Sequence, residues 1–438
     1  MANIIEPRVL KGFRDILPAG EIERAGLMEK ITKVYRSYGF VPIDTPVLEY
    51  SEILLRKSNG ETEKQVFRFE DNGKRDVAMR FDLTVPFARF TAEHESELYF
   101  PFKRYHLAKV WRGEKPQAGR YREFVQCDID TVGSDSAAAD FEILSIMRAA
   151  LAEIGVSDVT IHVNHRGIFN RFLAKIGAAD KSEDILRSVD KLAKAGEEEV
   201  KKELVEYTGS DEKASEILKY ISGAGDFDST LDMLEKMAGG PASDTQRMRD
   251  IRGMMKAAGI EATYVLDPSI TRGLDYYTGV VYETFLNQLP SIGSVCSGGR
   301  YDNLAGLYTK TKLPGVGASI GLDRLIAGLE QLGKTSRKGS YLDAEIYCMD
   351  GNLSVHYQGV AAALRTKGIN VEVFPEPKKM GQQYAVTEAK SVPWGLLIGS
   401  NEAEKNLVTL KNLATREQFN MITVEEAAEK ILASKNQM

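Results

Sequence analysis

The chain has 438 residues, 43% hydrophobic and 27% charged, with a net charge of −6. That length predicts two or three domains, and that balance excludes a disordered, fibrous or low-complexity protein. An acidic chain is not a general polyanion binder, although nucleic-acid contact needs only a local basic surface. No apolar run approaches the ~20 residues of a spanning helix, and the start, MANIIEPRVLKG, has no basic and then apolar leader. A cytoplasmic protein away from membranes is expected. Cys127, Cys296 and Cys348 are scattered and odd in number, which fits a reducing compartment and offers no CxxC pair for zinc.

Residues 1–165 mix an amphipathic helical stretch between Glu21 and Tyr38, the apolar run GFVPIDTPVLEY and several strand-like segments, predicting an α+β domain. Residues 166–260 turn to long charged helical patterns such as KSEDILRSVDKLAKAGEEEVKKELVEY, without a solenoid period, and read as a helical insertion. Strand character returns over 261–332 in ATYVLD and DYYTGVVYETFL, then GVGASIGLDRLIAGLEQL reads as strand and helix, so the first domain resumes. GKTSRKGSY, at 333–341, has the composition of a linker. Residues 342–438 alternate as strand AEIYCMD, helix SVHYQGVAAALRTKG, strand NVEVFP, helix QQYAVTEAKS, strands WGLLIG and LVTLKNL, and helix VEEAAEKILASK, a small α/β domain of its own.

The densest chemical signal is KRYHLAKVWRGEKPQAGRYREFVQCDIDTVG, at 103–133, two strand-like runs around the turn-rich centre KPQAG. Period two places Arg122, Phe124, Gln126, Asp128 and Asp130 on one strand face, with Val125, Cys127 and Ile129 behind. Arg112 and Glu114 share parity on the incoming strand, and Trp111 points the other way. Basic residues from Lys103 to Arg122 face the single acid Glu114, opposite to the sign of the whole chain. A solvated hairpin face with cross-strand ion pairs is the commoner reason for such a pattern. Here arginines, a ring and two carboxylates share one face, a costly arrangement unless a charged ligand covers it.

Other segments are weaker alone. MRFDLTVP would put Arg80, Asp82 and Thr84 on one strand face. In SITRGLDYYTGVVYE, Arg272 stands beside Gly273, and strand parity would send Tyr276 and Tyr277 to opposite faces, so one of them lines a site. CSGGRYDNLAG reads as a tight bend with Arg300 and Tyr301 after it, and no Lys follows as in a Walker A loop. GASIGLDRLIAGL sets Arg324 in a helix with the apolar stripe Leu322, Leu325 and Leu329, where an Arg paired to Asp323 or snorkelling is an equal alternative. His162 and His165, in TIHVNHR, lack a third ligand nearby and read as structural.

Taken together and in this order, these segments resemble the class II aminoacyl-tRNA synthetases and, within them, the histidyl-tRNA synthetases. The resemblance covers nearly the whole chain. KGFRDILP and GFVPIDTPVLEY look like the N-terminal segment and the dimer-forming motif 1 with Pro46, the hairpin looks like motif 2, and GASIGLDRL looks like motif 3 with Arg324. RGLDYYTG and SGGRYDNL resemble the two peptides specific to histidyl enzymes and their close paralogues. Residues 342–438 resemble the anticodon-binding domain, and 166–260 the insertion that reaches toward the tRNA acceptor stem. Trp111 replaces the aromatic usual in motif 2, Asp82 and Asp130 stand where the family commonly has Glu, and EPKKMGQQYAVTEAKS is less basic than usual.

The resemblance implies a class II antiparallel-sheet catalytic domain, a homodimer, and a reaction in which histidine and ATP give histidyl-adenylate before transfer to tRNA(His). It assigns Arg112 and Arg272 as catalytic and Arg112, Glu114, Arg120, Phe124 and Arg324 to ATP. It assigns Asp82, Thr84 and Gln126 to the histidine ammonium and Asp130 with Tyr277 to the imidazole, with Arg272 at the carboxylate and Tyr276 and Tyr301 alongside. Lys115, Gln117 and Arg120 would meet the tRNA acceptor end. ATP is a substrate, Mg²⁺ is expected with it, and no zinc, haem or flavin is implied. The competing readings are a silent synthetase-like regulatory subunit of ATP phosphoribosyltransferase, and a plain RNA-binding or scaffolding protein. The first usually lacks the C-terminal domain and several ATP-binding arginines; the second leaves the carboxylate and arginine face without a purpose.

Overall fold

Strands form where apolar side chains recur at every second position, and the longest such runs build the central hairpin. The computed structural model describes residues 4–55, 63–117, 119–189, 191–270, 276–335 and 338–435. The chain divides into two units, residues 1–14 with 27–334 and residues 15–26 with 335–438.

The first unit contains β1 (Val41–Pro42), β2 (Leu48–Tyr50), β3 (Arg68–Glu70), β4 (Asp76–Met79), β5 (Phe102–Trp111), β6 (Glu123–Val132), β7 (Val159–His165), β8 (Tyr264–Leu266), β9 (Val280–Leu286), β10 (Cys296–Arg300) and β11 (Gly315–Gly321). Eight of them form one sheet in the order β1-β5-β6-β11-β10-β9-β7-β8. The pairs β1·β5 and β7·β8 are parallel and the rest antiparallel. Strands β2, β4 and β3 form a smaller antiparallel sheet.

The back of the large sheet is apolar: Val125, Cys127 and Ile129 of β6 share a core with Ile143, Met147 and Leu151 of helix Ala137–Glu153. The helical stretch joins that same core through Phe172, Tyr220, Leu231 and Met248. Its helices are punctuated by local chemistry. Ser210 accepts a hydrogen bond from the Lys213 N–H at the start of helix Asp211–Ser222, and Gly209, with φ +66°, ends the preceding helix in the left-handed region that a side chain would disfavour.

The second unit has a five-stranded sheet of β12 (Ala344–Ile346), β13 (Val371–Val373), β14 (Trp394–Leu397), β15 (Val408–Asn412) and β16 (Gln418–Ile422), in the order β13-β12-β14-β15-β16. The alternation in sequence predicts neither the short helix Ser400–Glu404 nor β16. β16 is a polar edge strand with no continuous apolar run, so it lacks the usual signature. Among the described residues, no helix is long and apolar enough to cross a membrane.

Candidate active site

Cross-strand register brings the site together. In an antiparallel sheet, residues directly opposite one another share a face. Asp130 on β6 lies between Arg104 on β5 and Gly317 on β11, and Asp128 lies between His106 and Ser319. The rows continue to Gly299 and Ser297 on β10, and from Ser297 to Glu283 on β9. The glycines make room: a Cβ at Gly317 would collide with the Asp130 carboxylate, and one at Gly299 would come within 2.9 Å of the Tyr277 ring.

A deep cavity of about 260 Å³ opens on these rows. Asp82, Thr84, Gln126, Asp130, Tyr276, Tyr277 and Tyr301, all expected at the site, line it together with Asp128. Asp82 accepts hydrogen bonds from the Val85 N–H and the Tyr276 hydroxyl, each at 3.0 Å. Asp130 is paired with the Arg104 guanidinium at 2.6 Å and accepts the Tyr301 hydroxyl proton. Arg104 is fully buried, donates to the Leu83 carbonyl at 3.1 Å, lies 4.5 Å from the centre of the Phe87 ring and stands 3.9 Å from Asp128.

Burial dominates the electrostatics here. It pushes the carboxyl of Asp130 up to about 7 and that of Asp128 up to about 6, with Arg104 opposing both. Burial also raises Asp82, against the Val85 N–H and the Arg112 charge. His106, opposite Asp128, is held down to about 4 by burial and the neighbouring Arg104 and Arg80 charges.

A second cavity of about 250 Å³ adjoins the first, sharing Arg112, Gln126, Glu283, Ser297 and Ser319. Arg112, Glu114, Arg120, Phe124 and Arg324 border it. The Arg112 Nε donates to the Phe81 carbonyl at 3.0 Å, and its guanidinium lies 5.3 Å from the centre of the Phe124 ring. Arg120 stands 3.4 Å and Arg112 3.9 Å from Glu114. Arg324 donates to the Ser294 carbonyl at 2.7 Å. Burial and the charges of Arg120 and Arg112 lower the pKa of Arg324, as in a cation cluster short of anions.

Several sequence expectations change. Arg80, Asp82 and Thr84 do not share a strand face: β4 ends at Met79 and Thr84 begins helix Thr84–Glu93, while Arg80 is buried against the carbonyls of Thr45 and Lys109. Tyr276 and Tyr277 both line the deep cavity, edge to face at 5.0 Å, because β9 starts only at Val280 and strand parity does not govern them. The glycine pair is no bend. Gly298 and Gly299 sit within β10, where a Cβ on Gly298 would strike the Gly317 carbonyl. Arg324 is not paired to Asp323, which instead takes Arg14 and the Val125 N–H.

Arg300 turns to the back, pairing with Asp140 at 2.8 Å, and Tyr301 turns to the cavity. His162 pairs with Asp267 at 2.6 Å, and His165 accepts the Gly167 N–H at a helix start. Lys115 and Gln117 are exposed in the hairpin loop, where Gln117 bridges to Arg120. Arg272 and Gly273 lie outside the described residues. Sequence reading assigns no role to Arg104, Asp128, Glu283 or Ser319. Strand parity alone places Asp128, whereas the other three need the register between distant strands.

The family profile described as histidyl-tRNA synthetase matches residues 12–325, and that described as anticodon binding domain matches residues 344–434. The chain is 60% identical to the histidine–tRNA ligase of Treponema denticola, covering 100% of both chains. It is 49% identical to that of Rhodopirellula baltica, over 98% of each. The crystal structure of histidyl-tRNA synthetase from Nostoc sp. PCC 7120 superposes with a TM-score of 0.88 at 31% identity, covering 99% of this chain and 100% of that one. A structure titled as an ATP phosphoribosyltransferase regulatory subunit/histidyl-tRNA synthetase, from Bacillus halodurans C, shares the fold with a TM-score of 0.74 at 21% identity. The full-length relatives favour the synthetase reading over the regulatory subunit. The chain belongs to the histidyl-tRNA synthetase family.

Proposed function

We propose that the chain activates L-histidine with ATP, forming histidyl-adenylate and pyrophosphate, and transfers the histidyl group to the 3′ end of tRNA(His). The observation that carries this reading is a buried, acceptor-rich cavity joined through Arg112 to an arginine-lined one. Asp82, Thr84 and Gln126 suit the α-ammonium, and Asp130 with Tyr277 suits the imidazole, with Tyr276 and Tyr301 packing beside them. The amino-acid carboxylate is then directed toward Arg112, where the ATP α-phosphate would lie. Phe124 offers a face for adenine and Glu114 an acceptor for its amino group, while Arg324 meets the far phosphates.

The carboxylate oxygen attacks the α-phosphorus, the bond to the bridging oxygen breaks, and pyrophosphate leaves. Charge grows on the α-phosphate oxygens as this happens, so a fixed guanidinium such as Arg112, with Arg272 as the family resemblance implies, lowers the barrier. In the second step a terminal ribose hydroxyl attacks the activated carbonyl and AMP leaves. Lys115, Gln117 and Arg120, exposed on the hairpin loop, suit the approach of an acceptor end.

Magnesium fits the outer cavity in a limited way. Glu114 and Glu283 border it, and among the described residues no three carboxylate, imidazole or thiol groups converge on one point. The ion would be held chiefly by phosphate oxygens, one carboxylate adding a ligand. When bound, it would neutralise phosphate charge.

Residues 342–438 suit anticodon contact. Leu48 and Tyr50 of β2 and Phe69 of β3 are exposed apolar side chains that suit a second copy of the chain, and a reducing cytoplasm suits the three free cysteines. The decisive test is histidine-dependent exchange of labelled pyrophosphate into ATP. Exchange with L-histidine and with no other standard amino acid is expected; a folded protein without it would defeat the proposal.

A further inference from the structure

The deep cavity contains a carboxylate that the reaction just described leaves idle. Asp128 lies between Gln126 and Asp130 on the cavity face of β6 and is 2% exposed. Its Oδ1 is shut off from solvent and has no hydrogen-bond partner. The carboxylate takes a hydrogen bond from Ser319, directly opposite on β11, and its Oδ2 faces Arg104 at 3.9 Å, beyond hydrogen-bonding distance, so Oδ1 alone is left open. Gln126 Oε1, next along the same face, is also buried without a donor. Leaving such acceptors unpaired costs a folded protein about 1–3 kcal/mol each, so a donor supplied by a ligand is the natural complement.

Spacing narrows the ligand. Side chains two apart on one strand face are separated by roughly 7 Å. An imidazole ring with one hydrogen bond of about 2.8 Å at each nitrogen spans a similar length between its two acceptors. In its protonated form that ring has two N–H donors and no acceptor. The charges agree: Asp82, Asp128, Asp130 and Glu283 line the cavity against Arg104 beneath it and Arg112 at its boundary. A ligand bringing both an ammonium and an imidazolium into the cavity restores the balance.

Resting on the histidine-activating function proposed above, the geometry points to Asp128 as a further specificity-determining residue, joining Tyr277 at one ring N–H of L-histidine while Asp130 accepts the other. Asp130 is aimed by Arg104 and Tyr301, and Asp128 is left with an unpaired acceptor beside it. An amino acid lacking either ring nitrogen strands one buried carboxylate, which explains rejection on both sides of the ring.

The test uses the full chain and pyrophosphate exchange with Asp128→Asn and Asp128→Ala, measuring KM for histidine and for ATP together with the melting temperature. The expected result is a histidine KM raised about tenfold to a hundredfold, an ATP KM within about twofold and no fall in melting temperature. Wild type should reject histidine methylated at either ring nitrogen, and Asp128→Ala should admit one of the two isomers in preference to the other. The isosteric Asp128→Asn carries the test should Asp128→Ala not fold. An unchanged histidine KM, or KM values for both substrates rising with a lower melting temperature, would overturn the assignment. Wild-type exchange separates the two levels: its absence removes the activating function itself, and its presence beside an unaffected Asp128→Asn removes only the role of Asp128.

Discussion

The two cavities on the β6 face touch at Arg112, Gln126, Glu283, Ser297 and Ser319, yet their chemistry is reversed. The deep one holds three carboxylates with 1–2% exposure: Asp82 is held by Tyr276 and the Val85 N–H, Asp130 by Arg104 and Tyr301, and Asp128 by Ser319 with its Oδ1 left open. The outer one holds guanidiniums that keep part of their hydration, with 25% side-chain exposure at Arg112 and 48% at Arg120. A buried carboxylate without a partner is costly, so Asp82 and Asp130 are tied to specific donors and the open oxygen of Asp128 selects a ligand that brings one. Arginines at a wetter boundary tolerate emptiness and wait for an anion of less defined shape. Selectivity therefore belongs to the deep cavity and charge stabilisation to the outer one.

The largest expected effect comes from Arg112, the guanidinium that lines both cavities. Arg112→Ala should lower kcat for pyrophosphate exchange by about a hundredfold to a thousandfold, with the melting temperature little changed. A modest loss confined to the ATP KM would place Arg112 in the outer cavity alone. Next is Asp130→Ala, which strands the buried Arg104 guanidinium; urea unfolding should show about 3 kcal/mol of destabilisation, with the histidine KM rising more than the ATP KM. Equal rises would erase the distinction between the cavities.

A pH comparison sharpens it further. Burial holds the folded-state carboxyl of Asp128 up near about 6, above its unfolded value. The folded state then binds the proton more tightly, so this group's stabilising contribution is fully present below the unfolded pKa and is lost as pH rises through about 6. His106 and His165, both held down to about 4 by burial, have the opposite sign, so only a difference isolates Asp128. Relative to wild type without ligand, Asp128→Asn should gain about 2 kcal/mol of stability between pH 4 and pH 7.5, measured by denaturant titration at each pH. A difference independent of pH would mean that Asp128 ionises as freely as an exposed carboxylate. The smallest effect is expected at the boundary: Arg120→Ala removes a pair with Glu114 worth less than about 1 kcal/mol, and should raise the ATP KM a few-fold while leaving the histidine KM unchanged.

Part of this arrangement is legible in the order of the amino acids alone. Period two along EFVQCDIDTV is a local property of extended backbone, and it alone divides Gln126, Asp128 and Asp130 from Val125, Cys127 and Ile129. The same holds for the apolar stripe of helix Leu322–Gln331 and for most elements of the second unit. Where the backbone leaves regular structure, the rule stops working. Thr84 starts a helix just after β4, and Tyr276 and Tyr277 precede β9, so parity misassigns both places.

What the chain determines by itself is therefore the set of faces: which side chains of a strand or helix travel together, and the motif order that marks the family. Which faces meet was decided only by the tertiary structure. Arg104 lies 26 residues before Asp130 and Gly317 lies 187 after it, and only the β5·β6·β11 register sets one beside and the other against the carboxylate. The partner of a buried charge is likewise a tertiary matter. Desolvation acts through everything packed around the group, and a local pattern carries no trace of neighbours that arrive from distant strands.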